Sequence, residues 1–157
     1  QVLAPGFNYV MTDIQAALGI HQLRRLDAFN ARRAHLAAEY DRLLAGLPEV
    51  VRPSVRDDAV HAWHLYPIRL DLDRLRITRE AFIEALRARG IGTSVHFIPI
   101  HLHPFFQKEL GVRQGDYPAV ERVFAGLVSL PLYPRMGDAD VARVAEAIHE
   151  ILEPARR

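Results

Sequence analysis

The sequence contains no cysteine, and it carries a single lysine, Lys108, against 19 arginines. The first absence excludes disulfide frameworks and thiolate metal sites. The second leaves any mechanism that needs an amine nucleophile with one candidate. Serine is scarce as well: only Ser54, Ser94 and Ser129 occur, none in a Gly-x-Ser-x-Gly setting, so serine hydrolysis has no support. No glycine-rich phosphate loop is present. No apolar run approaches membrane-spanning length and no leader-like segment opens the chain, so a cytoplasmic location without membrane association is expected. The formal net charge is only +1, which gives no electrostatic footprint for nucleic acid.

What remains is a chain of 157 residues, half of them apolar, long enough for one globular domain with a core. It opens Gln1-Val2-Leu3 and meets a motif at once, which reads as a piece of a longer protein. That motif runs from Gly6 to Gly19. Thr12 can N-cap a helix and Gln15 can reach back to it, a capping box. Asp13 suits the positive end of the helix dipole. Gly6 and Asn8 precede it in a loop suited to meeting an anion, although an ordinary capped helix explains the same spacing.

Helical spacing continues from Ile14 through Leu18, Leu23, Leu26 and Phe29 to Ala37, Tyr40, Leu43, Leu44 and Leu47, with a weak break at 26–28. The run 63–70 reads as a strand, placed at an edge or bulged because Pro67 cannot donate to a ladder. His64 and Tyr66 would share its wet face. Thr78 caps a helix to Arg89, with Phe82, Ile83 and Leu86 inward and Gly90 ending it. A second strand is expected over 93–98, a short helix over 105–110, and a helix from Pro118 with Val120, Val123, Phe124 and Leu127 on one face. A strand over 128–132 follows, then a last helix capped by Asp138 with a stripe at Val141, Val144, Ala145, Ile148 and Leu152. This order describes an α+β domain, a small sheet with helices on one side, preceded by a helical arm.

The histidines cluster. His96, His101 and His103 fall within eight residues, and three imidazoles can bind zinc. The cluster holds no carboxylate to orient a ring, so a polar site for an anionic ligand is the better reading, with a metal-dependent enzyme and plain surface histidines as alternatives.

Four segments in order resemble the DegT/DnrJ/StrS-type nucleotide-sugar aminotransferases: 6–19, Ala62-Trp63-His64-Leu65-Tyr66, 90–101 and Ser129-Leu130-Pro131-Leu132-Tyr133-Pro134. The resemblance covers essentially the whole chain. It implies the C-terminal part of a pyridoxal 5'-phosphate (PLP) enzyme of the aspartate-aminotransferase fold, fold type I. Residues 1–28 would end the large domain and form the dimer contact, and 29–157 would form the small domain. It also implies transfer of an amino group from glutamate to a nucleotide-linked keto-sugar, in a homodimer with active sites at the subunit interface. The lysine that holds the cofactor lies upstream of the Gly-x-Asn motif in this family, so this chain alone is expected not to form the aldimine and to be inactive. No catalytic residue is therefore assigned.

By the same resemblance, Asn8 matches an asparagine that reaches the cofactor phosphate of the neighbouring subunit. His96 matches a histidine near the active-site mouth and is expected to contact substrate. His101 and His103 are weaker candidates of that kind, and Tyr9 and Tyr66 possible lining residues. The family usually has a basic residue where this chain has Val10. That departure keeps a non-catalytic dimerisation or regulatory domain as a competing reading.

Overall fold

The computed structural model describes residues 4, 6, 7 and 9–157. Helix α1 (Asp13–Leu23) starts as its sequence dictates: the Thr12 hydroxyl accepts from the Gln15 N–H at 3.3 Å, and the Gln15 side chain accepts from the Thr12 N–H at 2.9 Å. It buries none of its residues. Arg24 and Arg25 separate it from α2 (Leu26–Leu43), so the expected break lies slightly before 26–28. Helix α2 enters the core through Leu36, Ala37 and Tyr40.

The sheet has three antiparallel strands in the order β1 (Val50–Val51), β2 (Tyr66–Leu70), β3 (Leu127–Leu130). Strand β2 is central, which corrects the edge placement suggested by Pro67. Pro67 pairs with Ser129, whose own backbone N–H and carbonyl are bonded to Ser94 on the far side, so no ladder bond to β3 is needed there. Towards β1 the pairing runs Val50 with Leu70 and Val51 with Arg69 and then stops. The missing N–H of Pro67 therefore falls beyond the end of β1, and a proline costs nothing in that place.

Tyr66, Ile68 and Leu70 alternate into the core, so the face expected to be wet is the buried one, and His64 lies outside the strand and exposed. Helix α3 (Arg79–Ala88) is capped by the Thr78 hydroxyl, which accepts from the Ala81 N–H at 3.2 Å, and buries Phe82 and Leu86. Gly90 follows it at φ 72°, the left-handed geometry that ends helices cheaply in glycine. Helix α6 (Asp138–Leu152) lays its whole predicted stripe into the core. Its N-cap is Gly137 and not Asp138. Asp140 accepts from the Gly137 N–H at 2.8 Å, while Asp138 in the first turn pairs with Arg32 at 2.8 Å.

Two further expectations change. The strand over 93–98 shrinks to one bridge, Ser94 with Ser129, beyond which backbone pairing gives way to a side-chain bond. Helices α4 (Pro104–Leu110) and α5 (Pro118–Gly126) sit outside the main core: Val120 and Val123 remain about half exposed. Gly126, the buried end of α5, closes on β2 beside the Leu70 carbonyl and the Arg69 side chain. Among the described residues no helix is long and apolar enough to cross a membrane.

Candidate functional site

The segment 90–103 leaves α3 through Gly90, buries Ile91, bridges to β3 at Ser94 and then runs irregularly, burying Pro99 and His101, to the start of α4. His96 is half-buried. Its Nδ1 lies 3.1 Å from the Ser129 hydroxyl, and the Phe97 ring stands edge-on at 5.0 Å. Ser129 is itself buried in β3. The rigid sheet thus holds one side of an imidazole that lies on an otherwise irregular segment. Phe97, Ile98 and Ile100 around it are exposed.

His101 is placed differently. It is buried, and its Nε2 lies 2.9 Å from Glu121 Oε1 on α5. The Gly115 N–H donates to the same oxygen at 2.7 Å, and the Tyr117 ring packs on the imidazole at 4.8 Å. The Gly115 bond first, and then His101, hold the Glu121 carboxyl below its ordinary range. The sequence reading found no carboxylate for this cluster. Glu121 supplies one from 20 residues downstream, and its position in the first turn of α5, just after Pro118, was the available signal.

His101 lines a cavity of about 380 Å³ with Pro99, Ile100, Phe106, Tyr117 and Val120. A second cavity of about 360 Å³ shares Pro99 and Val120 and extends along Phe97, Val123 and Phe124. The apolar face of α5 that sequence spacing assigned to packing lines these cavities. His103 occupies the N-cap position of α4 without a side-chain bond to that helix and is half-buried.

The remaining candidates do not join this group. Tyr66 is completely buried, stacked on Tyr40 at 4.8 Å, with its hydroxyl donating to Asp41 at 2.6 Å. Burial first, and then Asp41, push that phenol well above its ordinary value. It is a core residue and not a lining one. Tyr9 lies on the exposed stretch ahead of α1, its ring 5.5 Å from that of Phe7. Asn8 falls outside the described residues. Among the described residues no three histidine or carboxylate side chains are grouped to hold an ion; His96 pairs with Ser129 and His101 with Glu121.

Lys108 is exposed on α4 and lines neither cavity. The described residues therefore do not form a complete seat for PLP, which needs a lysine at the reacting centre. They form an apolar surface with polar groups at its border.

The sequence profile described as the DegT/DnrJ/EryC1/StrS aminotransferase family matches residues 1–149. The spore coat polysaccharide biosynthesis protein SpsC of Bacillus subtilis (strain 168) is 44% identical over 156 residues, 99% of this chain and 40% of that protein. Among solved structures, DesV of S. venezuelae in complex with a ketimine intermediate superposes with a TM-score of 0.85 at 35% identity, covering 95% of this chain and 38% of DesV. The PLP form of Spr1654 of Streptococcus pneumoniae gives 0.86 at 28% identity, over 98% and 39% of the two chains. This chain thus spans about two fifths of the length of the relatives it matches, and it shares the architecture of fold type I aminotransferases.

Proposed function

Because the chain belongs to the DegT/DnrJ/EryC1/StrS aminotransferase family, we propose that it is the C-terminal portion of a PLP-dependent enzyme that passes an amino group from glutamate to a nucleotide-linked keto-sugar. Residues 1–28 are the end of the large domain and the dimer contact, and 29–157 are the small domain. The observation that supports this reading is the exposure of large apolar residues in two of the motif segments: Phe7, Tyr9, Ile14 and Phe97 are all at least three-quarters exposed. A self-contained domain would bury such residues; a domain that completes a site with further chain presents them.

In this reading PLP supplies the electron sink for amino transfer, and its lysine belongs to the large domain. The residues of this chain bind and orient. His96 offers a ring nitrogen to an oxygen of the sugar nucleotide. His101 and His103 follow His96 on the same segment, and the apolar cavities between 97–100 and α5 exclude water there; Tyr9, on the stretch ahead of α1, is a separate candidate contact. Asn8 takes the cofactor phosphate of the neighbouring subunit in the homodimer. Val10, where the family pattern has a basic residue, favours a second reading: a non-catalytic dimerisation or regulatory domain of the same fold.

The deciding experiment is an assay of the full-length protein, with PLP, glutamate and a nucleotide-linked keto-sugar. Release of 2-oxoglutarate that depends on the keto-sugar is the expected result. A well-folded protein that binds PLP without turning over any such sugar would leave the regulatory reading in its place.

A further inference from the structure

We infer that Ser129 is a positioning residue: its hydroxyl donates to Nδ1 of His96 and so fixes the neutral imidazole with its hydrogen on Nε2, as a donor to an acceptor oxygen of the substrate. The last clause rests on the substrate-contact reading of His96; the coupling of the two side chains does not.

Ser129 is 4% exposed, and its backbone is committed on both sides. Its N–H donates to the Ser94 carbonyl at 2.8 Å, and its carbonyl accepts from the Ser94 N–H at 3.2 Å. Its hydroxyl has one partner among the described residues, His96 Nδ1 at 3.1 Å. A hydroxyl carries one hydrogen and two lone pairs, and a neutral imidazole carries one donor and one acceptor. With the ring hydrogen on Nε2, Nδ1 is bare and accepts from the hydroxyl, and both groups are satisfied. With the hydrogen on Nδ1, that nitrogen would donate to Oγ and the hydroxyl hydrogen would be left buried without an acceptor. Buried polar hydrogens are rarely left in that state.

The same bond sets orientation. Ser129 is carried by β3, which pairs with β2 along its whole length, and the Phe97 ring stands edge-on to the imidazole. The ring cannot rotate about its side-chain bonds without breaking the contact with Ser129. Nε2, across the ring from Nδ1, is the nitrogen left for a ligand. Its N–H suits a phosphate, hydroxyl or carbonyl oxygen and disfavours a group that can only donate.

The test is nitrogen-resolved NMR of the histidine side chains in the 157-residue chain, above the ordinary imidazole titration range, with His96→Ala used to assign the signals. The expected pattern for His96 is an unprotonated Nδ1 and a protonated Nε2. Ser129→Ala should move it towards the averaged pattern of a free imidazole, and Ser129→Thr, which keeps the hydroxyl, should restore it. A wild-type ring protonated on Nδ1, or a pattern unchanged in Ser129→Ala, overturns the inference; the wild-type spectrum decides the first point even if a variant fails to fold. In the full-length enzyme, Ser129→Ala should raise KM for the sugar nucleotide in the same direction as His96→Ala, and the double variant should be no worse than His96→Ala alone. Additive losses would overturn the coupling. A fixed tautomer with KM unmoved by His96→Ala would instead sink the substrate-contact reading and leave the Ser129–His96 coupling in place.

Discussion

His101 Nε2 lies 2.9 Å from Glu121 Oε1, and this pair ties the segment ahead of α4 to the first turn of α5. The same carboxylate accepts from the Gly115 N–H, so one side chain organises both ends of the 101–121 excursion. The Glu121 carboxyl is held below its unfolded value, near 4.3 for a free glutamate, by Gly115 and then His101. A depressed carboxyl stabilises the fold above the unfolded value, and that contribution is lost as pH falls through the lower folded value. Thermal unfolding of the chain should therefore weaken below about pH 4. In Glu121→Gln the acid limb should be flatter and the melting temperature at neutral pH lower. An unchanged acid limb in that variant would show that the pair contributes nothing.

Gly126 has no room for a side chain. A Cβ there would drive into the Leu70 carbonyl, a backbone atom that cannot swing aside, and would press on the Arg69 side chain. Gly126→Ala should cost about 1–3 kcal/mol in denaturant unfolding, the range for overpacking a closed contact. A cost near zero would mean that α5 is free to lift from β2.

Tyr66 is predicted to act on stability alone. Tyr66→Phe keeps the stack on Tyr40 and removes the bond to Asp41, at a cost of about 1.5–3 kcal/mol for a hydrogen bond to a charged group. KM of the full-length enzyme for its sugar nucleotide should not move. A rise in KM at unchanged stability would return Tyr66 to the list of ligand contacts.

Helix α1 buries none of its residues, and Ile14, Leu18 and Leu23 are all more than 60% exposed. We predict that the 157-residue chain self-associates through this face as a dimer or larger assembly. Light scattering should show this, and Ile14→Glu with Leu18→Glu should return the chain to a monomer. A clean wild-type monomer at high concentration would contradict it.

Local features were legible in the sequence and tertiary ones were not. The Thr12–Gln15 capping box, the Thr78 cap and the α6 stripe each depend on residues within a turn or two, and each is found. Pro67 misled because a missing N–H says only that no bond is made, not which neighbour is absent; that depended on β1 ending at Val51. Glu121 and Ser129 were missed as partners of His101 and His96 because the pairs lie 20 and 33 residues apart and meet only once α5 and β3 are in place. Tyr66 looked polar and available on an alternating strand; the sheet turns that face inward. The family resemblance added a functional reading to 6–19 and 90–101, where local pattern supplied only a capped helix and a run of histidines.

The most direct measurement is the steady-state kinetics of His96→Ala in the full-length enzyme, with glutamate saturating and the nucleotide-linked keto-sugar varied. One lost hydrogen bond of about 1.4 kcal/mol corresponds to a tenfold change. If His96 contacts substrate as proposed, without transferring protons, KM for the sugar should rise about tenfold, with kcat nearly unchanged. A variant with wild-type KM, or one that loses kcat while KM stays fixed, would contradict that role.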